Sequence, residues 1–304
     1  MREKLKKLLM IPPNCLDGVV KELECYEPKP PNIDMRFFYI QLQGGNVRLN
    51  DFISAISQGI VSFALSRRDA LEINHLNAIQ KTKEARERYV ISRKSGELGE
   101  LALYMFLESK EEAPQILSKM SLKTSGNMHV HGSDAVHVKI NDAGDIFLFL
   151  GESKVYKDID GSINACLDSI FKFYFDERVE GRTQFDFDLK LVKENMDVDD
   201  PELRIFLQDL FNPWKGGKEH LFYVNACFII FEVPELDKIR EFGRNAEEKL
   251  LEIYKDKMTE IARSIKQKLD EKNQFGLQFL FFFLPVTNTE EARRKFQTIM
   301  GFGE

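Results

Sequence analysis

The chain of 304 residues is 43% hydrophobic and 30% charged, proportions of a globular protein with a substantial core rather than a disordered or fibrous chain. Its net charge of -6 excludes a generally basic protein that coats nucleic acid, while leaving room for a local basic groove or an acidic, metal-filled site. Residues 1–90 carry 14 basic and 11 acidic side chains and residues 91–304 carry 29 and 38, so the acidity lies in the second part.

Cys15, Cys25, Cys166 and Cys227 form no CxxC pair, which speaks against a zinc knuckle or a disulfide framework and fits reduced thiols. The N-terminal run MREKLKKLLMIPP is too short in apolar residues for a signal peptide. The longest apolar run, Phe279 to Val286, falls far below the roughly 20 residues that span a bilayer. A cytoplasmic protein with no membrane partner is expected.

Residues 1–50 read as a short basic helix, a Pro-rich connector at YEPKPPN and a strand MRFFYIQL. Asn50 or Asp51 caps a helix in which Phe52, Ile53, Ile56, Ile60 and Phe63 recur at helical spacing. A charged helix follows from about Asp69 to Arg88. Its Lys81, Lys83, Arg86 and Arg88 read as a solvated face, with phosphate contact as the alternative. SGELGELALYMFLESK is the next helix, capped by Ser95 and buried along Leu98, Leu101, Ala102, Met105 and Phe106. Glu97 compensates the helix dipole. Glu100 lies a turn further in, beside the apolar stripe, and is a candidate ligand. A second short helix is expected at Ala113 to Met120.

The centre of the chain is GSDAVHVKI, a polar turn NDAGD, and IFLFLGESK, a β-hairpin. Folding it about Ala143 places Asp134 opposite Glu152. Alternation puts Asp134 on one face with Val136, Val138 and Ile140, and Glu152 on that face with Leu150, Leu148 and Ile146. Two carboxylates opposed at roughly 4.5 to 5.5 Å between Cβ atoms destabilise a sheet unless something neutralises them, as a divalent cation does. Lys154, two residues on, brings an ammonium to the same face. His137 faces the other way, and His129 and His131 precede it; surface or substrate-contacting histidines describe them better than zinc ligands.

Beyond Lys154, SINACLDSIFKFYFDERV is a helix capped by Asp160 or Ser162, and hairpin followed by covering helix is an α/β layer pattern. Residues 182–219 read as helices and loops, with DVDDPE starting a helix. LFYVNACFIIFEV and GLQFLFFFLPV are buried strands, separated by a long amphipathic helix from about Asp237 to Lys272. The basic helix EEARRKFQTIM closes the chain.

An aspartate at the end of one strand and acid-any-lysine at the end of the next form an arrangement suited to phosphodiester hydrolysis. Magnesium held by one or two carboxylates activates water and neutralises charge, and a nearby lysine orients the water or steadies the transition state. Asp134, Glu152 and Lys154 supply that set, with Glu100 and the Ser153 carbonyl as further ligands to Mg2+, or to Mn2+ in its place.

With Gly96 and Glu100 before it, Gly132-Ser133-Asp134 and Glu152-Ser153-Lys154 resemble the PD-(D/E)xK nuclease superfamily, with Ser133 where that pattern often has proline. More narrowly, GELGELALYMFLE, GSDAVHV and FLGESKVY resemble the HamA family, the nuclease subunit of Hachiman anti-phage systems; the likeness is clear over about residues 91–175. The resemblance implies an α/β, restriction-endonuclease-like mixed sheet flanked by helices. It also implies a bacterial cytoplasmic setting, DNA as substrate and a superfamily 2 helicase, HamB-like, as partner. Residues 1–90 are then an accessory or regulatory region and 91–304 the nuclease domain. The competing readings are a non-catalytic DNA-binding or regulatory subunit and a stand-alone restriction endonuclease.

Overall fold

The computed structural model describes residues 1–24, 32–90, 96–118, 120, 133–212, 219–272 and 276–301. Ser95, His129, His131 and Gly132, all named above, lie outside them, as does Cys25.

The first part comprises α1 (Arg2–Lys6), β1 (Val20–Leu23), β2 (Ile33–Ile40), β3 (Leu42–Gln43) and β4 (Asn46–Val47), followed by α2 (Leu49–Ser57) and α3 (Ile60–Ala64). The expected charged helix is divided into α4 (Arg67–Leu71) and α5 (Ala78–Val90). The interruption has a local cause: the Asn74 side chain accepts from the Leu76 amide and that of Asn77 from the Asn74 amide, an Asx turn competing with helix.

Helix α6 (Glu97–Lys110) is buried on nearly every side. After it, the expected second helix is instead a short edge strand, β5 (Gln115–Leu117), whose Gln115 and Leu117 pair with His137 and Val136. Here a partner strand overrides local preference. The hairpin β6 (Ala135–Ile140) and β7 (Ile146–Val155) leads into α7 (Ile159–Phe175), capped by the Asp158 side chain. A small hairpin, β8 (Glu177–Val179) and β9 (Arg182–Thr183), precedes α8 (Gln184–Asn195) and α9 (Pro201–Leu210). Strand β10 (Leu221–Glu232) follows. The expected long helix begins as a 3-10 run, Pro234–Asn245, and becomes α10 (Ala246–Lys272) only after Gly243 adopts a positive φ of 55°. Strand β11 (Gln278–Val286) and α11 (Thr289–Ile299) end the chain.

Seven strands form one sheet in the order β1-β2-β11-β10-β7-β6-β5. The inner strands β7, β10, β11 and β2 run parallel; β1, β6 and β5 are antiparallel to their neighbours. Strands from both sides of residue 90 therefore share this sheet. Both faces of its centre are covered, which explains unbroken apolar runs rather than alternation with polar residues. Phe228, Ile230 and Phe282 pack toward Phe106 of α6, while Cys227, Ile229, Phe231 and Phe283 pack toward α7 and α10. Each fully buried aromatic contributes roughly 1.5–3 kcal/mol of transfer free energy, so this double layer is the main support of the sheet edge where the acids lie.

Candidate active site

The β6–β7 register is the one expected for a turn centred on Ala143: Ala135 lies opposite Gly151, Val138 opposite Leu148 and Ile140 opposite Ile146. Val136, Val138, Ile140, Ile146, Leu148 and Leu150 form one buried face, packed on Val192 of α8 and on Leu203 and Leu207 of α9.

At the open end the ladder changes. The Asp134 amide donates to the Gly151 carbonyl at 2.7 Å, although Gly151 is already the ladder partner of Ala135. Two successive residues address one, the count of a β-bulge, and a bulge re-aims the side chain it carries. Strand β6 begins at Ala135, so β7 extends past it. The Asp134 carboxylate accepts the Ser153 amide there at 2.9 Å and the Ser153 hydroxyl at 3.0 Å.

Ser153 turns toward α6. A Cβ at Gly99 would stand 3.0 Å from the Ser153 Oγ and from Val155 Cγ2, so the bare glycine lets helix and strand touch. Glu100 is the next residue, in the first turn of α6 and half-buried. Among the described residues, Glu100, Asp134 and Glu152 do not converge into a three-membered group able to cage a metal.

Glu152 and Lys154 lie on the other side of β7, beside Cys227 and Ile229 of β10, and their charged ends pair with each other. Burial pushes the Glu152 carboxyl up to about 7, and the Asp134 charge adds to this against the pull of Lys154 and Ser169. Burial also opposes the charge on Lys154, but Glu152 and Asp134 outweigh it and hold the ammonium above its ordinary range. Two carboxylates in mutual repulsion, one of them desolvated, are the donor chemistry that a hard divalent cation relieves, and magnesium needs only one or two of them, with water completing its shell. Asp134, Glu152 and the Ser153 carbonyl are the oxygens at this end of the hairpin that could serve it.

A further acid, which sequence reasoning passed over, supports this end of the hairpin. Asp188 of α8 is 1% exposed; one oxygen accepts the Ser133 amide at 3.0 Å and hydroxyl at 3.1 Å, and the other accepts Gln184 Nε2 at 3.0 Å. The residue preceding Asp134 is thereby tied to α8. The available signal was a carboxylate on the apolar side of an amphipathic helix, FDFDL. Between α7, the β8–β9 hairpin and the sheet lies an open cleft of about 240 Å3, lined by Ser133, Glu152, Ser169, Lys172, Arg178 and Gln184 among others.

His137 points away from Glu152, but it is not the surface or substrate-contacting histidine expected, because β5 and α6 cover it. It is fully buried, its Nδ1 lies 2.7 Å from the Ala113 carbonyl, and burial lowers it to about 4, leaving it neutral. The basic stretch of α5 is neutralised locally: Lys81 pairs with Asp69 at 2.9 Å, Lys83 with Glu87 at 3.7 Å and Arg88 with Glu84 at 2.6 Å.

A mixed sheet with a parallel centre, helices on both faces, and an aspartate meeting Glu-Ser-Lys at the end of an antiparallel hairpin define an α/β protein of restriction-endonuclease-like fold. Among the curated proteins, none matches the chain. The chain belongs to the HamA family, whose model matches residues 14–300. Membership connects it with Hachiman anti-phage defence. Among the described residues, no helix is long and apolar enough to cross a membrane.

Proposed function

We propose that this chain is a magnesium-dependent deoxyribonuclease of anti-phage defence, hydrolysing phosphodiester bonds under the control of a partner superfamily 2 helicase in the bacterial cytoplasm. The observation that supports the chemistry is the buried Glu152–Lys154 pair lying within reach of the Asp134 charge where β7 runs past the start of β6. The helicase partner is supported by family membership alone.

Magnesium, or manganese in its place, held by Asp134, Glu152 and the Ser153 carbonyl, would supply a water of lowered pKa and charge neutralisation at the phosphate. The protein's own atoms do the rest. Ser153 fixes the Asp134 carboxylate through its amide and hydroxyl, so that acid is positioned before substrate arrives. Glu152 would share that ion with Asp134, since its buried carboxylate carries the Asp134 repulsion that a divalent cation relieves. Lys154, held charged beside Glu152, donates to the attacking water or to the developing charge on phosphate oxygen.

Plasmid cleavage with magnesium by the wild type, Asp134→Ala, Glu152→Gln and Lys154→Ala tests the assignment. Each substitution is expected to lower the rate by about 10²-fold or more. Equal activity in all four proteins would overturn it. Calorimetric titration of magnesium in the presence of DNA separates a catalytic from a purely DNA-binding role: heat of binding present in the wild type and lost in Asp134→Ala is expected. Helicase control is tested by co-purification with any helicase encoded beside this chain's gene, and failure to co-purify, or the lack of such a gene, counts against the partnership.

A further inference from the structure

We propose that Lys172 and Arg178 are the phosphate-holding residues of the cleft, gripping the backbone of the nucleic acid next to Asp134 and Glu152. The inference rests on the nuclease reading for the identity of the ligand, and on the cleft itself for its place.

Lys172, near the end of α7, and Arg178, in the middle of β8, line the same cleft as Glu152 and Ser133. Among the described residues neither cation is engaged by a carboxylate. Several acids around them are occupied: Glu177 accepts the Gly181 amide, Asp168 pairs with Lys272 at 3.0 Å, Asp186 accepts from Thr183 at 2.8 and 2.9 Å, and Asp188 holds Ser133 and Gln184, while Asp176 and Glu180 lie exposed on the same stretch of chain. Two cations, neither in an ion pair among the described residues, thus share the cleft with Glu152. That distribution suits an anionic backbone whose reacting phosphate sits at the acids and whose neighbouring phosphate needs a positive partner.

The mount is rigid. Glu180 and Gly181 take φ of 50° and 73°, the paired left-handed conformation that closes a two-residue hairpin. Thr183 and Asp186 form a capping box that starts α8 directly after the hairpin. At its root Phe185 packs against Phe173 at 5.9 Å, Tyr174 at 4.9 Å and Tyr223 at 5.2 Å between ring centroids. The β8–β9 register shifts between Glu177 and Val179, so Arg178 is the irregular position of the strand, and it lines the cleft while Glu177 and Val179 do not. A guanidinium on this hairpin can present its donors to phosphate oxygens as a planar fork, and the lysine adds a second positive charge in the same cleft.

The test uses the full chain carrying Glu152→Gln, so that binding is read without cleavage. Fluorescence anisotropy of a labelled DNA duplex is followed over a series of salt concentrations. Adding Lys172→Ala and Arg178→Ala is expected to weaken binding about tenfold and to reduce the slope of log affinity against log salt by about 2. Lys238→Ala with Arg244→Ala, exposed cations that line no part of the cleft, is expected to leave the slope unchanged. Exchanging the charges in place, Lys172→Arg with Arg178→Lys, should restore most of the slope. An unchanged slope in the alanine pair, a fall matched by the control pair, or no recovery on charge exchange would overturn the proposal. The two readings fail separately. Wild-type cleavage that Glu152→Gln abolishes, with salt dependence indifferent to Lys172 and Arg178, refutes the phosphate site alone; a lost slope in a wild type that never cuts DNA refutes the nuclease alone.

Discussion

Ser153 donates two hydrogen bonds to the Asp134 carboxylate, from its amide at 2.9 Å and its hydroxyl at 3.0 Å, so the strand that carries the second acid also holds the first. Ser153→Ala removes the hydroxyl and keeps the amide. The expected result is a loss of about 1 kcal/mol in urea denaturation. DNA cleavage should fall on the order of tenfold at saturating DNA, because the aspartate is less well positioned rather than absent.

Asp188 holds the other side of the same loop. Asp188→Ala leaves the Ser133 amide and hydroxyl without their buried acceptor, and should cost roughly 2–3 kcal/mol. Asp188→Asn keeps one carbonyl oxygen and should recover part of that loss. Denaturation of both variants, with cleavage measured below their transitions, checks that Asp188 supports the site through Ser133.

Gly151 sits where α6, β6 and β7 close on one another. A Cβ there would lie 2.7 Å from Leu103 Cδ2, 2.9 Å from Ala135 Cβ and 3.1 Å from the Ala135 nitrogen. The leucine can rotate, but the strand backbone cannot. Gly151→Ala should therefore cost about 1–3 kcal/mol and displace the bulge at Asp134, seen as a lower melting temperature together with reduced cleavage.

Glu108 of α6 gives the protein a pH dependence. Its carboxylate is fully buried and accepts the amides of Gln115 and Met10, each at 2.8 Å, and that of Ile11 at 3.4 Å. Burial outweighs these donors and Arg67 and pushes the group up from 4.5 to about 7. Because the folded value is the higher one, the stability this group contributes is fully present below about pH 4.5 and is lost as pH rises through about 7. Glu152 titrates in the same direction, so the comparison is made with Glu152→Gln in both proteins. Urea denaturation between pH 4.5 and 7.5 should show the advantage over Glu108→Gln shrinking as pH rises; a constant difference would contradict the assignment.

Much of the hairpin was legible because its determinants are local. A polar turn between two apolar strands sets the register, and the two-residue period then assigns every side chain from Val136 to Leu150 to its face. The buried strands at Leu221–Glu232 and Gln278–Val286 were legible for a similar reason: their apolar runs are long enough to require cover on both faces. Gln115–Leu117 was misread as helix because three residues carry little periodic signal and their strand character comes from pairing with β6. The helix expected to run through DERV ends at Phe175, and Glu177–Val179 was misread as helix because its exposed residues carry no apolar alternation to mark a strand.

By itself, the sequence determined that Asp134, Glu152 and Lys154 end a single hairpin, since turn chemistry and alternation act within about twenty residues. Only the tertiary structure decided how those groups are held. The bulge at Asp134, the grip of Ser153, the anchor from Asp188 and the approach of Lys172 and Arg178 depend on contacts between distant elements. No periodicity records such contacts, because packing selects them after the strands have formed.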